Sequence, residues 1–135
     1  MTIAYPVVFT QTKDKKDTVL VYIPDFNGAT EGYGIADAIR MARDYIGCSL
    51  YSKDESEYPV PSTLSDIDIK KTEFYSSGES LISIVDVDVD EYRKKLDNKP
   101  VRRNVSLPNW LNKKANEAHI NVSRVLQEAL IDRLA

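Results

Sequence analysis

The last third of the chain, KPVRRNVSLPNWLNKKANEAHINVSRVLQEALIDRLA, alternates before Pro108 and turns helical after it, and that switch narrows the available folds more than any other feature. From Val101 to Leu107 the residues Val101, Val105 and Leu107 fall on one face and Arg102, Asn104 and Ser106 on the other, which predicts a half-buried strand. Proline cannot donate to a ladder but suits the first position of a helix, so Leu107-Pro108 marks the change from period 2 to period 3.6. A first helix is predicted from Pro108 to about Ala118, with Leu111, Ala115 and Ala118 in one apolar stripe. Asn121 can cap a second helix, whose wider stripe is Val122, Val125, Leu126, Ala129, Leu130 and Leu134.

Such a unit has too little core to stand alone. Domains below ~40 residues usually need a disulfide, a metal or a partner, and this segment has no cysteine and no clustered metal ligands. A second copy is the simplest remedy. Antiparallel pairing of two strands about a twofold axis buries both apolar faces and turns the polar faces into one two-stranded ribbon. A ribbon of this kind fits the major groove of B-DNA. Arg102 suits guanine, Asn104 suits adenine, and Ser106 can pair with several bases. The free N–H groups opening the second helix, at Asn121, Val122, Ser123 and Arg124, form an anion site for a phosphate.

Charge divides the chain in the same way. Residues 99–135 hold seven Lys/Arg and three Asp/Glu, whereas residues 1–98 hold eleven and eighteen, so a basic end follows an acidic body. Only the C-terminal part is therefore expected to touch nucleic acid. At 135 residues the chain can hold one small domain and the dimerising unit, predicted as 1–97 and 98–135, with the break at the polar, turn-prone DNKP. The single cysteine, Cys48, cannot form an internal disulfide, and no apolar run approaches ~20 residues, so no membrane span or signal peptide is indicated and the cytoplasm is the expected compartment.

In the body, IAYPVVF and TVLVYIPDF read as two strands joined across the charged TKDKKDT, and a third covers Ala29 to Gly32. Ile35, Ala38, Ile39, Ala42, Ile46 and Leu50 then recur at helical spacing, and a last strand runs through SLISIVDVDV. The order is β-β-β-α-β, an α+β domain with a helix on an antiparallel sheet.

The segment from about Lys99 to Leu134 resembles the ribbon-helix-helix DNA-binding family, through its alternating basic strand, the Leu107-Pro108 junction and INVSRVLQEAL. That resemblance implies base contacts from Arg102, Asn104 and Ser106, and phosphate contacts from the Asn121 to Arg124 turn. Where the family often has glycine between the helices, this chain has His119, which predicts a left-handed turn residue. The body is similar to the N-terminal domain of the HicB antitoxins. The motifs are Tyr5-Pro6-Val7-Val8-Phe9, Tyr22-Ile23-Pro24-Asp25-Phe26-Asn27-Gly28, the helix from Ile35, Pro59-Val60-Pro61-Ser62, and Asp88-Val89-Asp90-Glu91-Tyr92-Arg93. Relatives often carry cysteine and a Thr or Ser cap where this chain has Ala29 and Gly34.

The HicB resemblance implies a truncated ribonuclease H fold that blocks HicA, a small basic mRNA-cleaving ribonuclease, and a C-terminal dimer that represses the shared operon. The partners it implies are that toxin, a palindromic operator, a second copy of the chain and, with toxin, a higher assembly; no cofactor is implied. Candidate toxin-facing residues are Tyr22, Asp25, Phe26, Glu31, Asp86 and Asp88. The competing class is a stand-alone ribbon-helix-helix repressor whose body senses a ligand or sets oligomeric state. A third class, a metal nuclease, would use Asp86, Asp88 and Asp90, which alternate as if projecting from one side of a strand. Catalytic carboxylates normally converge from several elements, so a solvated acidic face is the stronger reading and no catalytic or metal-binding residue is expected. His119 reads as a turn residue, Trp110 and Cys48 as packing residues, and Lys113 and Lys114 as a solvated helix face.

Overall fold

The first strand, β1 (Thr2–Thr12), carries ladders on both sides. It pairs antiparallel with β2 (Thr18–Ile23) on one side and with β4 (Gly78–Asp88) on the other, and β3 (Gly28–Tyr33) completes a four-stranded sheet in the order β3-β2-β1-β4. The computed structural model describes residues 1–14 and 16–135 and falls into two units, Met1–Lys99 and Pro100–Ala135. Part of the charged turn between β1 and β2, at position 15, thus lies outside the described residues.

Alternation decides which face becomes the core. Tyr5, Val7 and Phe9 of β1 share a face with Val19, Val21 and Ile23 of β2 and with Val85 and Val87 of β4, and all are buried. Helix α1 (Ile35–Leu50) lays Ala38, Ala42, Ile46 and Leu50 on that face, one residue per turn. Each fully buried large side chain contributes roughly 1.5–3 kcal/mol, so this layer is the main source of the body's stability. Close approach matters at Gly32, where a Cβ would stand 2.4 Å from the main-chain nitrogen of Ala38. No larger residue fits between β3 and α1.

The strand and helix order matches the β-β-β-α-β expectation, within a mixed structure that adds a short helix, α2 (Val89–Leu96). Two details differ from the sequence reading. Ile35 is half exposed, because it begins α1 beyond the part of the helix that rests on the sheet. The last strand stops at Asp88, whose carboxylate accepts from the main-chain N–H groups of Asp90 and Glu91 and so caps α2. Asp90 consequently stands on a helix, and the three aspartates do not line one strand.

Between α1 and β4, residues 51–77 form a chain of single 3-10 turns, at Glu55–Glu57, Leu64–Asp66, Ile69–Lys71 and Tyr75–Ser77. Long-range bonds fasten it. Tyr5 donates to the Pro59 carbonyl (2.8 Å), and Arg93 of α2 donates to the carbonyls of Tyr51 and Lys53 (both 3.0 Å) and to the Tyr58 hydroxyl (2.9 Å).

The C-terminal unit holds α3 (Asn109–Glu117) and α4 (Val122–Leu134). Pro108 serves as the N-cap of α3 rather than its first helical residue. The Ile120 N–H reaches the Ala115 carbonyl (3.0 Å) and the His119 N–H the Asn116 carbonyl (3.1 Å), a Schellman closure with His119 left-handed at φ 53°. Residues 101–107 are exposed and enter no ladder within the single chain, so the strand expected there is not formed in this structure. A strand needs a partner edge, and the unit supplies none.

Candidate nucleic-acid and partner interfaces

Arg102, Asn104 and Ser106 lie on the exposed segment ahead of α3. Pro100, Val101, Arg102 and Arg103 line one groove with Ser123, Leu126, Gln127 and Leu130 of α4, so the extended segment, Arg102 included, runs beside the helix whose N-terminus was expected to hold phosphate. At that N-terminus Asn121 is extended (φ −80°, ψ 98°), and its side chain accepts from the Arg124 N–H (3.2 Å). Of the four expected phosphate contacts, Arg124 therefore has its main-chain donor already engaged. Its guanidinium also pairs with Glu128 at 3.2 Å. Both side chains are exposed, and such i,i+4 pairs contribute only about 0.3–0.5 kcal/mol, so a phosphate can displace the carboxylate. The pair was visible in the sequence as Arg and Glu four residues apart.

Nothing in the C-terminal unit is buried. Every residue from 100 to 135 is exposed except Ala115 and Leu126, which are half-buried, and Val125, Leu130, Ile131 and Leu134 present their side chains to solvent. Trp110 is likewise exposed, with Lys114 Nζ 5.8 Å from its ring centre, so it packs into no core within the chain.

The six candidate toxin-facing residues differ in what already engages them, and Tyr22, Glu31 and Asp86 share the sheet face turned away from α1. Asp25 and Phe26 hold the body together: the Asp25 carboxylate accepts from the Ser62 N–H and hydroxyl, and Phe26 meets Tyr5 edge-on at 4.8 Å and Tyr45 at 6.3 Å. Burial, with the Asp25 carboxylate adding to it, pushes the Tyr5 phenol up to about 12. Tyr22 and Glu31 share the sheet face turned away from α1, where Tyr22 donates to the Asn27 side chain at 3.0 Å. Asp86 pairs with Arg43 at 3.2 Å, and Asp88 is spent on the cap of α2. Ser62 and Arg93 belong to recognisable motifs, but their partners, like that of Arg43, lie at least 35 positions away, where no local spacing links them.

Each aspartate of the acidic stripe is engaged within the chain, and the N-terminal ammonium of Met1 pairs with both Asp88 and Asp90. Asp86 faces Arg43, Asp88 faces main-chain donors, and Asp90 lies 3.5 Å from Arg93. Among the described residues no group of three or more His, Cys, Asp or Glu side chains is placed to hold a metal. Cys48 is exposed rather than packed, and partial desolvation of its sulfur, followed by the nearby Asp44, raises its thiol pKa. No helix among the described residues is long and apolar enough to cross a membrane.

A family described as HicB_like antitoxin of bacterial toxin-antitoxin system matches residues 5–134. The fold is similar to a chain of a toxin-antitoxin complex from Streptococcus pneumoniae, at 29% identity and a TM-score of 0.64, covering 98% of this chain and 99% of that one. It is also similar to the antitoxin HicB of Burkholderia pseudomallei, at 25% identity and a TM-score of 0.50, covering 98% and 96%. No protein of curated description matches significantly.

Proposed function

Because this chain belongs to the HicB-like antitoxin family of bacterial toxin-antitoxin systems, we propose that its body occludes a small basic HicA-like ribonuclease while two C-terminal units pair on operator DNA. It acts by binding, not as an enzyme. The observation that carries the reading is the C-terminal unit with no buried residue, whose two helices and extended Val101–Leu107 segment all offer apolar faces to a partner. Pairing two extended segments antiparallel makes a ribbon-helix-helix dimer, in which Arg102, Asn104 and Ser106 face the major groove. Val122 and Ser123 offer their N–H groups to phosphate at the N-terminus of α4, with the Arg124 guanidinium beside them.

The body supports the other half of the reading. Its β-β-β-α-β order suits a truncated ribonuclease H-like fold, here used as a surface. Eighteen carboxylates against eleven cations in residues 1–98 give it a potential that attracts a basic RNA-binding groove and speeds encounter. Tyr22, Glu31 and Asp86, on the sheet face away from α1, are the candidates this reading favours for the toxin.

The test is growth and co-purification when the short neighbouring reading frame is induced with the full chain or alone. Rescue by the full chain, with a stable complex, is the expected result. A harmless neighbour and no co-purifying protein would overturn the toxin-neutralising half and leave a plain repressor.

A further inference from the structure

β4 is an edge strand of eleven residues, and its middle is unguarded. The Asp86 carbonyl accepts from Arg43 (2.9 Å) rather than from β1, which fixes the parity of the strand. By the two-residue period, Ser80, Ile82 and Ile84 also turn their main-chain groups away from β1. Among the described residues nothing bonds to the main chain of these three from that side. Natural edges are usually blunted by lysine, proline, a bulge or an inward charge. Ser80-Leu81-Ile82-Ser83-Ile84 has none of these. Instead apolar side chains flank the edge on both faces: Leu81 is 52% exposed next to Phe9, Val19 and Ile35, and Ile84 is 56% exposed next to Pro6 and Leu64.

We infer that this edge pairs with β4 of a second copy, antiparallel about a twofold axis through Ile82, so that two bodies share one eight-stranded sheet. The sequence is self-complementary in that register. Ile82 meets Ile82 of the second copy, Leu81 meets Ser83, and Ser80 meets Ile84, so every exposed apolar residue is covered. No charge faces a like charge: Glu79 falls opposite Val85 and Asp86 opposite Gly78. Lys13 lies beside Gly78, Glu79 and Ser80, where the Asp86 end of the second copy arrives, and supplies an opposite charge. The body's overall negative charge opposes the approach at low salt, and at physiological ionic strength it is screened beyond about 8 Å. This pairing is separate from the C-terminal one and stands whether or not the chain neutralises a toxin.

The test uses the full chain carrying Cys48→Ser, at physiological salt with glutathione disulfide as oxidant, read on non-reducing gels. Ile82→Cys should give a disulfide-linked dimer at least tenfold faster than Ile84→Cys, whose own copies lie four residues apart across the axis. A second pair avoids the half-buried Ile82: co-expressed Leu81→Cys and Ser83→Cys chains, both at exposed positions, should cross-link to each other faster than either does to itself. Equal rates at Ile82 and Ile84, or no preference in the mixed pair, would overturn the register and the proposal with it. If Ile82→Lys instead expels a co-expressed basic partner while no Ile82→Cys dimer forms, the edge belongs to that partner and self-pairing is overturned.

Discussion

The carboxylate of Asp25 receives both the main-chain N–H (3.0 Å) and the hydroxyl (2.5 Å) of Ser62, thirty-seven positions further along the chain. These two bonds hold the irregular 51–77 segment to the turn after β2. Removing one partner of a charged, part-buried hydrogen bond costs about 1–3 kcal/mol. Asp25→Ala and Ser62→Ala should therefore each lower stability in urea by that amount and open residues 51–77 to limited proteolysis. Unchanged cleavage would show that Tyr5 and Arg93 suffice.

Base readout by the extended segment predicts that Arg102→Ala or Asn104→Ala weakens operator binding by about 1–3 kcal/mol and relaxes the preference at one position per half-site. Competition binding against single-base operator variants measures both. Wild-type affinity and preference in both variants would remove the ribbon assignment.

Arg124 is held by Glu128 at 3.2 Å in the unbound chain. Glu128→Gln frees the guanidinium and removes a negative charge, so DNA affinity should rise about twofold to threefold for all sequences alike. Arg124→Gln should do the reverse and flatten the salt dependence by about one unit of slope. Fluorescence anisotropy over a salt series gives both quantities.

The Tyr33 N–H, and after it the Arg40 guanidinium, hold the Asp37 carboxyl below its ordinary value of 3.8. A depressed folded-state pKa stabilises above the unfolded value and is lost as pH falls through the folded one. Asp37→Ala should thus melt below wild type at pH 7, with the gap closing as pH drops below 3.8. A gap that stays constant down to pH 2.5 would assign the loss to packing.

His119 occupies the left-handed position of the turn between α3 and α4 at φ 53°. Glycine carries no Cβ penalty there, so His119→Gly should stabilise the C-terminal unit by about 0.5–1 kcal/mol, and His119→Val should destabilise it further. Thermal melts of the full chain followed by Trp110 fluorescence separate the two.

What could be read from the sequence was whatever has a short period. The stripe Ala38, Ala42, Ile46, Leu50 and the alternation in β4 were legible, because local spacing alone assigns them to a face, whereas β1 was legible only as a β-rich run, being buried on both faces from Tyr5 to Thr10. Asn121 as a cap and His119 as a left-handed residue were legible for a similar reason, since each acts on neighbours within a few positions. The 51–77 segment was not, as single 3-10 turns leave no periodic trace and their anchors come from distant residues.

Asp86, Asp88 and Asp90 show how alternation misleads at an element boundary. The pattern continued past the strand's end, while the cap signal, Asp88 with Glu91 three residues on, marked the true break. Asp25 and Phe26 lie in the turn after β2, where no local spacing marks them as anchors. The ring packing of Phe26 on Tyr5 and the Ser62 bonds are visible only once the chain is folded. The expected strand at 101–107 is missing for a different reason: its pattern is present, but the chain offers it no edge to pair with.

An end of the chain with no interior cannot settle its own stability. If a second copy covers residues 100–135, as proposed above for the operator-binding dimer, their folded fraction follows concentration. On that proposal dilution would unfold the end as heat does, while the body keeps its own buried layer at any concentration. One polypeptide therefore joins a part that is always present to a part that counts.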